Sequence, residues 1–362
     1  MAKVELKNVT KKFGGVTAVD NLSLTVEDKE FMCILGPSGC GKTTTLRMTA
    51  GLETPTSGLI YIGDEVVNDM TASERDIAMV FQFYALYPGM TVYENLAFPL
   101  KAQKLSKAEI NRIVKETAER LNISQILQRK PHQITAGQAQ RVALGRAVVR
   151  KPRVYLLDEP LTNLDARLRA QMRVELKRLQ REWEQTTIYV THDQLEAIAM
   201  ADRIVIMDRG VLQQCDTPEG VYDRPTNRFV AGFVGSPPMN FVDASLVEAD
   251  GRLLADCGPF KTDLSQFKSI MGERRSGEIV LGVRPEDIRI TKKGIESDSF
   301  PVEVEAVEPI GDETIYDVAA EEIRLRALTG MRLGIQAGGE AWLTLDKNKL
   351  HVFDRGTEKS LV

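Results

Sequence analysis

Residues Gly36 to Thr43 read GPSGCGKT and fit the pattern G-x-x-x-x-G-K-[ST], directly behind the apolar run Phe31 to Leu35. A strand that delivers a glycine-rich turn into a helix start aims several backbone N–H groups at one spot, where the helix dipole also favours anions. The chemistry this predicts is the binding of a nucleotide triphosphate. Lys42 would reach the β- and γ-phosphates as a point charge, and Thr43 would offer its hydroxyl to Mg²⁺. Gly36, Gly39 and Gly41 let the backbone approach without a Cβ. Pro37, Ser38, Cys40 and Thr44 complete the candidate contact set. A glycine-rich turn alone is weak evidence, but here a strand precedes it and the helix-compatible TTTLRMTA follows. Cys40 sits at the expected helix start, where a thiolate is favoured electrostatically.

Two more segments end in groups suited to that chemistry. Val154 to Leu157 is apolar and stops at Asp158 and Glu159, as expected where a buried parallel strand presents acids at its C-terminal edge. Asp158 suits a Mg²⁺ partner held through water, and Glu159 suits a group that orients or deprotonates attacking water. By themselves these are a solvated acid pair at a strand end. Thr186 to Val190 runs out at Thr191 and His192. A lone histidine at such an edge is often only a capping residue.

The elements that must position these groups are partly visible. Val4 and Leu6, then Leu22, Leu24 and Val26, alternate with polar residues like half-buried strands. Thr54 to Gly58 reads as a loop. Ser106 and Glu109 form a capping box ahead of Ile110, Val114, Ala118 and Leu121, which share one helical face. Asp165 could cap a longer helix whose Leu168, Met172, Leu176, Leu179 and Trp183 recur at helical spacing, a stripe that reads as packing. Beyond about Val242 the alternating runs LGVRPEDI, VEVEAVE and AWLTL give short strands and no long helix.

Composition bounds the rest. A chain of 362 residues exceeds one ordinary core, and 43% apolar with 27% charged residues is globular, not disordered. No stretch approaches a membrane span, and Met1 to Lys12 lacks a signal-peptide core, so the chain is expected to stay where it is made. Cys33, Cys40, Cys215 and Cys257 lack metal-ligand spacing, which fits a reducing cytoplasm. A net charge of −4 gives no basic footprint for nucleic acid.

Together these residues resemble the ATP-binding cassette ATPases of membrane transporters, over about two thirds of the chain. VFQFYALYP carries Gln82 at the family's glutamine-loop position, and ITAGQAQRVALGRA resembles the family signature. YLLDEP, LTNLD with Asp165 in the D-loop, and YVTHD with His192 as switch histidine follow in the family's order. Phe13 stands where the family stacks an aromatic ring on adenine. VYENLAFPLK, RKPHQ and GSPPMNF narrow the resemblance to importer subunits of the maltose type. The resemblance implies an α/β fold: a P-loop cassette over 1–235 with a helical subdomain at about 88–152, then an OB-like β-barrel over 236–362 that serves regulation and dimerisation.

It also implies a mechanism. Lys42 and His192 would hold γ-phosphate, with Glu159 on the water. Mg²⁺ would be bound by Thr43, Gln82 and Asp158. Because each ATP is sandwiched between one subunit's phosphate loop and its neighbour's signature, two copies are needed. Thr135, Ala136, Gly137 and Gln138, at the start of a helix running to Val149, would face γ-phosphate across that interface. Transmembrane permease subunits would dock near Gln82 to Tyr87, with an extracytoplasmic solute-binding protein acting indirectly. The chain would sit peripherally on the cytoplasmic face of the inner membrane.

Some positions depart from the family. The signature has Thr135 and Ala136 where serine and glycine are usual, and the Ala136 Cβ is expected to hinder closure through its backbone angles. Phe83 and Gly89 replace serine and histidine in the docking stretch, and Thr162 replaces serine before the D-loop. Two alternatives compete. One is an ATP-binding regulatory protein that hydrolyses little and sequesters a partner through its C-terminal domain. The other is a soluble cassette ATPase acting on ribosomes or DNA, which would need a second cassette, a coiled-coil insertion or a basic arm, none of them visible.

Overall fold

The computed structural model describes residues 2–82, 85–272, 276–294, 298–330 and 332–362. Phe83, an expected docking position, lies outside them. The chain divides into two compact units, Met1–Pro218 and Glu219–Val362.

The first unit begins with the antiparallel pair β1 (Val4–Phe13) and β2 (Val16–Val26), whose inward residues are the alternating apolar ones. β3 (Phe31–Leu35) leaves for a second sheet, while β4 (Ser57–Ile62) and β5 (Glu65–Val66) return to the first, in the order β2-β1-β4-β5. The second sheet adds β6 (Ile77–Val80), β7 (Val154–Asp158), β8 (Thr186–Thr191), β9 (Arg203–Asp208) and β10 (Val211–Asp216). Its order is β10-β9-β3-β8-β7-β6, parallel except for the β9–β10 hairpin.

That order decides where the chemistry lies. β3 is flanked by β8 and β9, and β8 by β7, so the C-terminal ends of β3, β8, β7 and β6 form one edge. Parallel strands covered on both faces are apolar throughout, which is why β3 is FMCIL and fully buried. One core joins the two sheets to α1 (Lys42–Ala50) through Leu6, Leu24, Ile34, Leu46, Leu156 and Val190.

A helical insert follows β6: α2 (Val92–Ala102), α3 (Lys107–Arg120) and α4 (Ala136–Val148). The expected Ser106–Glu109 capping box starts α3, and Ile110, Val114 and Ala118 are its buried face. A second capping box, Thr91–Glu94, starts α2. These faces share a core with Leu179 of α5 (Ala166–Trp183), which Asp165 caps as expected. Next comes α6 (Gln194–Met200), and α7 (Pro218–Asp223) opens the second unit. Among the described residues no helix is long and apolar enough to cross a membrane.

The second unit holds α8 (Arg228–Phe233) and two five-stranded antiparallel sheets. The strands are β11 (Asn240–Ala249), β12 (Arg252–Asp256), β13 (Lys261–Asp263), β14 (Gly277–Val283), β15 (Ile288–Thr291), β16 (Phe300–Ile310), β17 (Glu313–Ala320), β18 (Ile323–Thr329), β19 (Glu340–Leu345) and β20 (His351–Asp354). Their orders are β13-β12-β11-β14-β20 and β15-β19-β16-β17-β18. A single core unites them through Leu246, Leu281, Val302, Val318 and Leu343. The compact unit starts before the expected boundary at 236, because Ala231 of α8 packs with Met239, Val280 and Phe353.

Candidate nucleotide site

The phosphate loop leaves β3 and enters α1 through Gly41, whose φ of 105° caps the helix in a region that side chains disfavour. A Cβ there would also meet the Ala18 carbonyl at 2.5 Å. Lys42 follows, only 5% exposed, with Nζ donating to the carbonyls of Gly36 (2.7 Å) and Pro37 (2.9 Å). The ammonium is thereby folded across the loop's own backbone. Ser38 and Gly39 are exposed and Thr44 half-buried.

Cys40 corrects an expectation. Its side chain is buried in the core, and burial pushes the thiol above its ordinary range despite the opposing Lys42 charge. Desolvation of a thiolate outweighs the nearby cation, so Cys40 stays protonated and packs as a small hydrophobe.

At the end of β7, Asp158 Oδ1 accepts from Thr43 Oγ1 at 3.2 Å. Burial raises the Asp158 pKa; the Thr43 hydrogen bond opposes this, Glu159 adds to it, and Arg47 and Lys42 pull it down. Glu159 departs from strand geometry with φ 44°, its N–H donating to the Val190 carbonyl at 3.0 Å. A non-glycine residue in that region is strained, and such strain clusters at functional sites.

Three groups converge on Glu159 Oε2. Gln82 Nε2 lies at 3.4 Å, Thr162 Oγ1 at 3.3 Å and His192 Nδ1 at 3.1 Å. Thr162 thus keeps the hydroxyl of the serine it replaces. Gln82 is held further by Asn163 Nδ2, which donates to its carbonyl at 2.9 Å. Sequence reasoning missed Asn163, and also Arg169, whose guanidinium reaches Asp193 (3.3 Å) and the carbonyls of Thr162 (3.4 Å) and Leu164 (3.1 Å). No local pattern marks Arg169; it ties the D-loop to the segment after His192 only in three dimensions.

For a divalent cation the fit is good. Thr43 and Asp158 place a hydroxyl and a carboxylate side by side, and Gln82 turns its Nε2 to Glu159, leaving its amide oxygen. Hard oxygen donors of this kind suit Mg²⁺.

The signature residues are organised separately. Thr135 caps α4, accepting from Gln138 N at 3.3 Å, while Gln138 Oε1 accepts from Thr135 N at 3.0 Å. Ala136 is exposed and is the first helical residue, with no positive φ, so the expected backbone hindrance is absent. The crowded position is Gly137, where a Cβ would meet Leu168 Cδ2 at 2.7 Å. Among the described residues no hydrogen bond or ion pair joins Thr135–Gln138 to Lys42, Thr43, Asp158 or Glu159. Asp165 likewise spends Oδ1 on the Leu168 N–H, at 2.9 Å. Phe13 is exposed at the end of β1, with Lys11 Nζ 4.6 Å over its ring.

Residues 19–162 match the ABC transporter family, 235–288 the MalK OB fold domain and 281–353 the TOBE domain. The chain is 51% identical to the trehalose/maltose import ATP-binding protein MalK of Thermococcus litoralis, over 100% of both chains. It is 45% identical to the sn-glycerol-3-phosphate import ATP-binding protein UgpC of Psychromonas ingrahamii, over 100% of this chain and 96% of that one. Among solved structures it resembles the ATP-binding cassette MJ0796 in a dimeric post-hydrolysis state with ADP and Pi. That match has 34% identity and a TM-score of 0.54, over 59% of this chain and 98% of that chain. CbiO1 of Clostridium perfringens, part of a transporter complex, matches with TM-score 0.58 and 25% identity over 61% and 90%. With its phosphate loop, its acid-bearing parallel edge and full-length relatives of this kind, the chain belongs to the ATP-binding ATPase subunits of ABC transporters, in the group whose cassette is followed by OB-fold and TOBE domains.

Proposed function

We propose that this chain is the ATP-hydrolysing motor of an ABC importer, closing as a homodimer around two MgATP to drive solute uptake through separate permease subunits. The observation that carries the reading is the convergence of Gln82, Thr162 and His192 on Glu159, beside the Lys42–Thr43–Asp158 cluster. Within this reading Lys42 exchanges its loop carbonyls for β- and γ-phosphate oxygens. The N–H groups at the start of α1 receive the remaining phosphate charge. Glu159 positions and deprotonates the attacking water, and His192 turns from Glu159 to γ-phosphate. Thr43, Gln82 and, through water, Asp158 would hold Mg²⁺, which when bound would supply charge neutralisation on the phosphates. Thr135, Ala136, Gly137, Gln138 and Asp165 act on the partner copy's nucleotide, which agrees with their separation from the cluster within one chain. Phe13 stacks on adenine.

Hydrolysis releases the closed dimer and moves the permeases, and a solute-binding protein delivers cargo to them from outside. The motor therefore works on the cytoplasmic face of the membrane. The trehalose/maltose name of the relative at 51% identity favours a sugar or oligosaccharide as cargo, with glycerol phosphate second. The catalytic cluster disfavours the weakly hydrolysing regulatory alternative. Copurified permeases reconstituted with this chain should take up labelled maltose or trehalose only with ATP and Mg²⁺. ATP hydrolysis without uptake of any sugar would break the cargo assignment, and absence of hydrolysis would break the motor assignment.

A further inference from the structure

Gln82, Thr162 and His192 converge on Glu159 Oε2, yet all three lie between helices and strands, where no backbone ladder of their own fixes them. One side chain spans the segments that carry two of them. Arg169, in the first turn of α5, sends each guanidinium nitrogen to a different place. Nη2 donates to the carbonyls of Thr162 (3.4 Å) and Leu164 (3.1 Å), on either side of Asn163, whose amide donates to the Gln82 carbonyl at 2.9 Å. Nη1 donates to Asp193 Oδ2 at 3.3 Å. Nε is buried, makes no hydrogen bond among the described residues and lies 4.0 Å from Glu196 Oε1.

Asp193 and Glu196 fix both neighbours of His192. Thr191 Oγ1 donates to Glu196 Oε2 at 2.6 Å and accepts from the Asp193 N–H at 3.0 Å. Tyr189 Oη, also on β8, donates to the same Glu196 oxygen at 2.8 Å. Glu196 is 2% exposed, and a carboxyl so deep needs such partners. Asp193 Oδ1 meanwhile caps α6, accepting from the Leu195 N–H at 2.9 Å. The guanidinium therefore stands where the D-loop and the segment after β8 meet. A lysine in its place has one nitrogen and could keep only one of these arms.

We propose that Arg169 is a positioning residue for ATP hydrolysis: by clamping the D-loop to the segment after β8, it holds Thr162 and His192 at Glu159 and so aims the carboxylate at the attacking water. The proposal rests on the reading of Glu159 as the base. Arg169 acts through backbone carbonyls and Asp193, touching neither nucleotide nor water. Its loss displaces the partners of Glu159 without dismantling the phosphate loop, because Lys42 and Thr43 are held by contacts of their own. When His192 turns to γ-phosphate, the Arg169–Asp193 pair keeps its backbone in place, and the turn is one of the side chain alone.

Steady-state ATPase of the assembled transporter over a range of ATP concentrations tests it. Arg169→Lys should lower kcat by about tenfold or more, the scale of a small misplacement in an active site, while KM for ATP stays within about twofold. Thr162→Val should lower kcat too. The double variant should be at most about twofold slower than the slower single one, because both changes act on one carboxylate. Losses that multiply in full would reduce Arg169 to a staple of the fold and overturn the proposal, as would a wild-type kcat in Arg169→Lys or a loss carried by KM. Should Arg169→Lys not fold, Asp193→Asn carries the test, since its side-chain oxygen can still cap α6 while the ion pair is lost. A kcat lower by about threefold at unchanged KM supports the proposal, and an unchanged kcat overturns it. No hydrolysis by the wild type, or normal turnover in Glu159→Gln, would bring down the motor reading and this one with it; slow Glu159→Gln beside normal Arg169→Lys would bring down this one alone.

Discussion

Lys42 in the first unit and Arg284 in the second are both buried cations that donate to backbone carbonyls, yet they do different work. Lys42 is a single flexible ammonium lying over the loop that Gly36 and Pro37 belong to, at an edge where Asp158 and Glu159 also emerge. Arg284 is a fork that donates to the carbonyls of Val234 (2.8 Å) and Tyr222 (2.5 Å), with its guanidinium 3.5 Å over the Tyr222 ring. It joins α7, the end of α8 and the end of β14 in one unit. Burial of a cation therefore does not mark a ligand site. What marks Lys42 is its place where parallel strand ends converge, while antiparallel sheets offer no such edge.

The sharpest way to break this contrast is at the parallel edge. Glu159→Gln should retain ATP binding and slow hydrolysis by about 10² to 10⁴, the range of a lost general base. Steady-state turnover of the assembled transporter and nucleotide binding measure the two halves, and near-normal turnover removes Glu159 from its role.

Arg284→Met should do the opposite, lowering stability by about 3 kcal/mol by stranding two carbonyls, with ATP affinity unchanged. Denaturant unfolding of the full chain measures the first, and nucleotide titration the second. A loss of ATP affinity in the folded variant would undo the division of labour.

Lys42→Ala should weaken ATP binding by about 2 kcal/mol, the worth of a hydrogen bond to a charged group, and lower stability less than Arg284→Met does, because the loop carrying Pro37, Ser38 and Gly39 is open to water that can meet the freed carbonyls. An equal loss of stability would make Lys42 as structural as Arg284.

His351 sharpens the same comparison through pH. Burial, then the Arg284 charge, depress its pKa from 6.5 to about 4. Between those values the unfolded chain takes up a proton that the folded chain refuses, so stability falls as pH drops from 6.5 toward 4. The loss should be about 2 kcal/mol after discounting for partial exposure. His351→Gln should flatten that part of the unfolding profile; an unchanged slope would exclude His351 as its source.

The smallest effect is expected at Ala136. Since it is exposed and helical, Ala136→Gly should cost at most about 1 kcal/mol and leave turnover within about twofold. A clear rise in ATPase rate would restore the hindrance that the helical backbone argues against.

How much was legible depended on how local the cause was. The phosphate loop, the Ser106–Glu109 box, the Asp165 cap and the apolar run into Asp158 rest on neighbours within a few residues, and the structure has them where their spacing predicts. Cys40 was misread because its thiol answers to a core built by β1, β2 and β9, none of which its own segment reveals. Ala136 was misread because a residue's backbone angle follows from the helix it begins, and its neighbour Gly137 is set by Leu168 of another helix.

By itself, then, the sequence determined which residues can bind phosphate, which strands are buried on both faces and which segments alternate, because these follow from residue type and short spacing. Only the tertiary structure decided that Gln82, Thr162 and His192 meet on one carboxylate oxygen of Glu159. It also decided that Tyr155, Gln180 and Gln185 meet around one small cavity with Phe31 and Trp183. The physical reason is strand order: placing β8 between β3 and β7 brings together residues more than a hundred positions apart, and no local pattern encodes that neighbourhood.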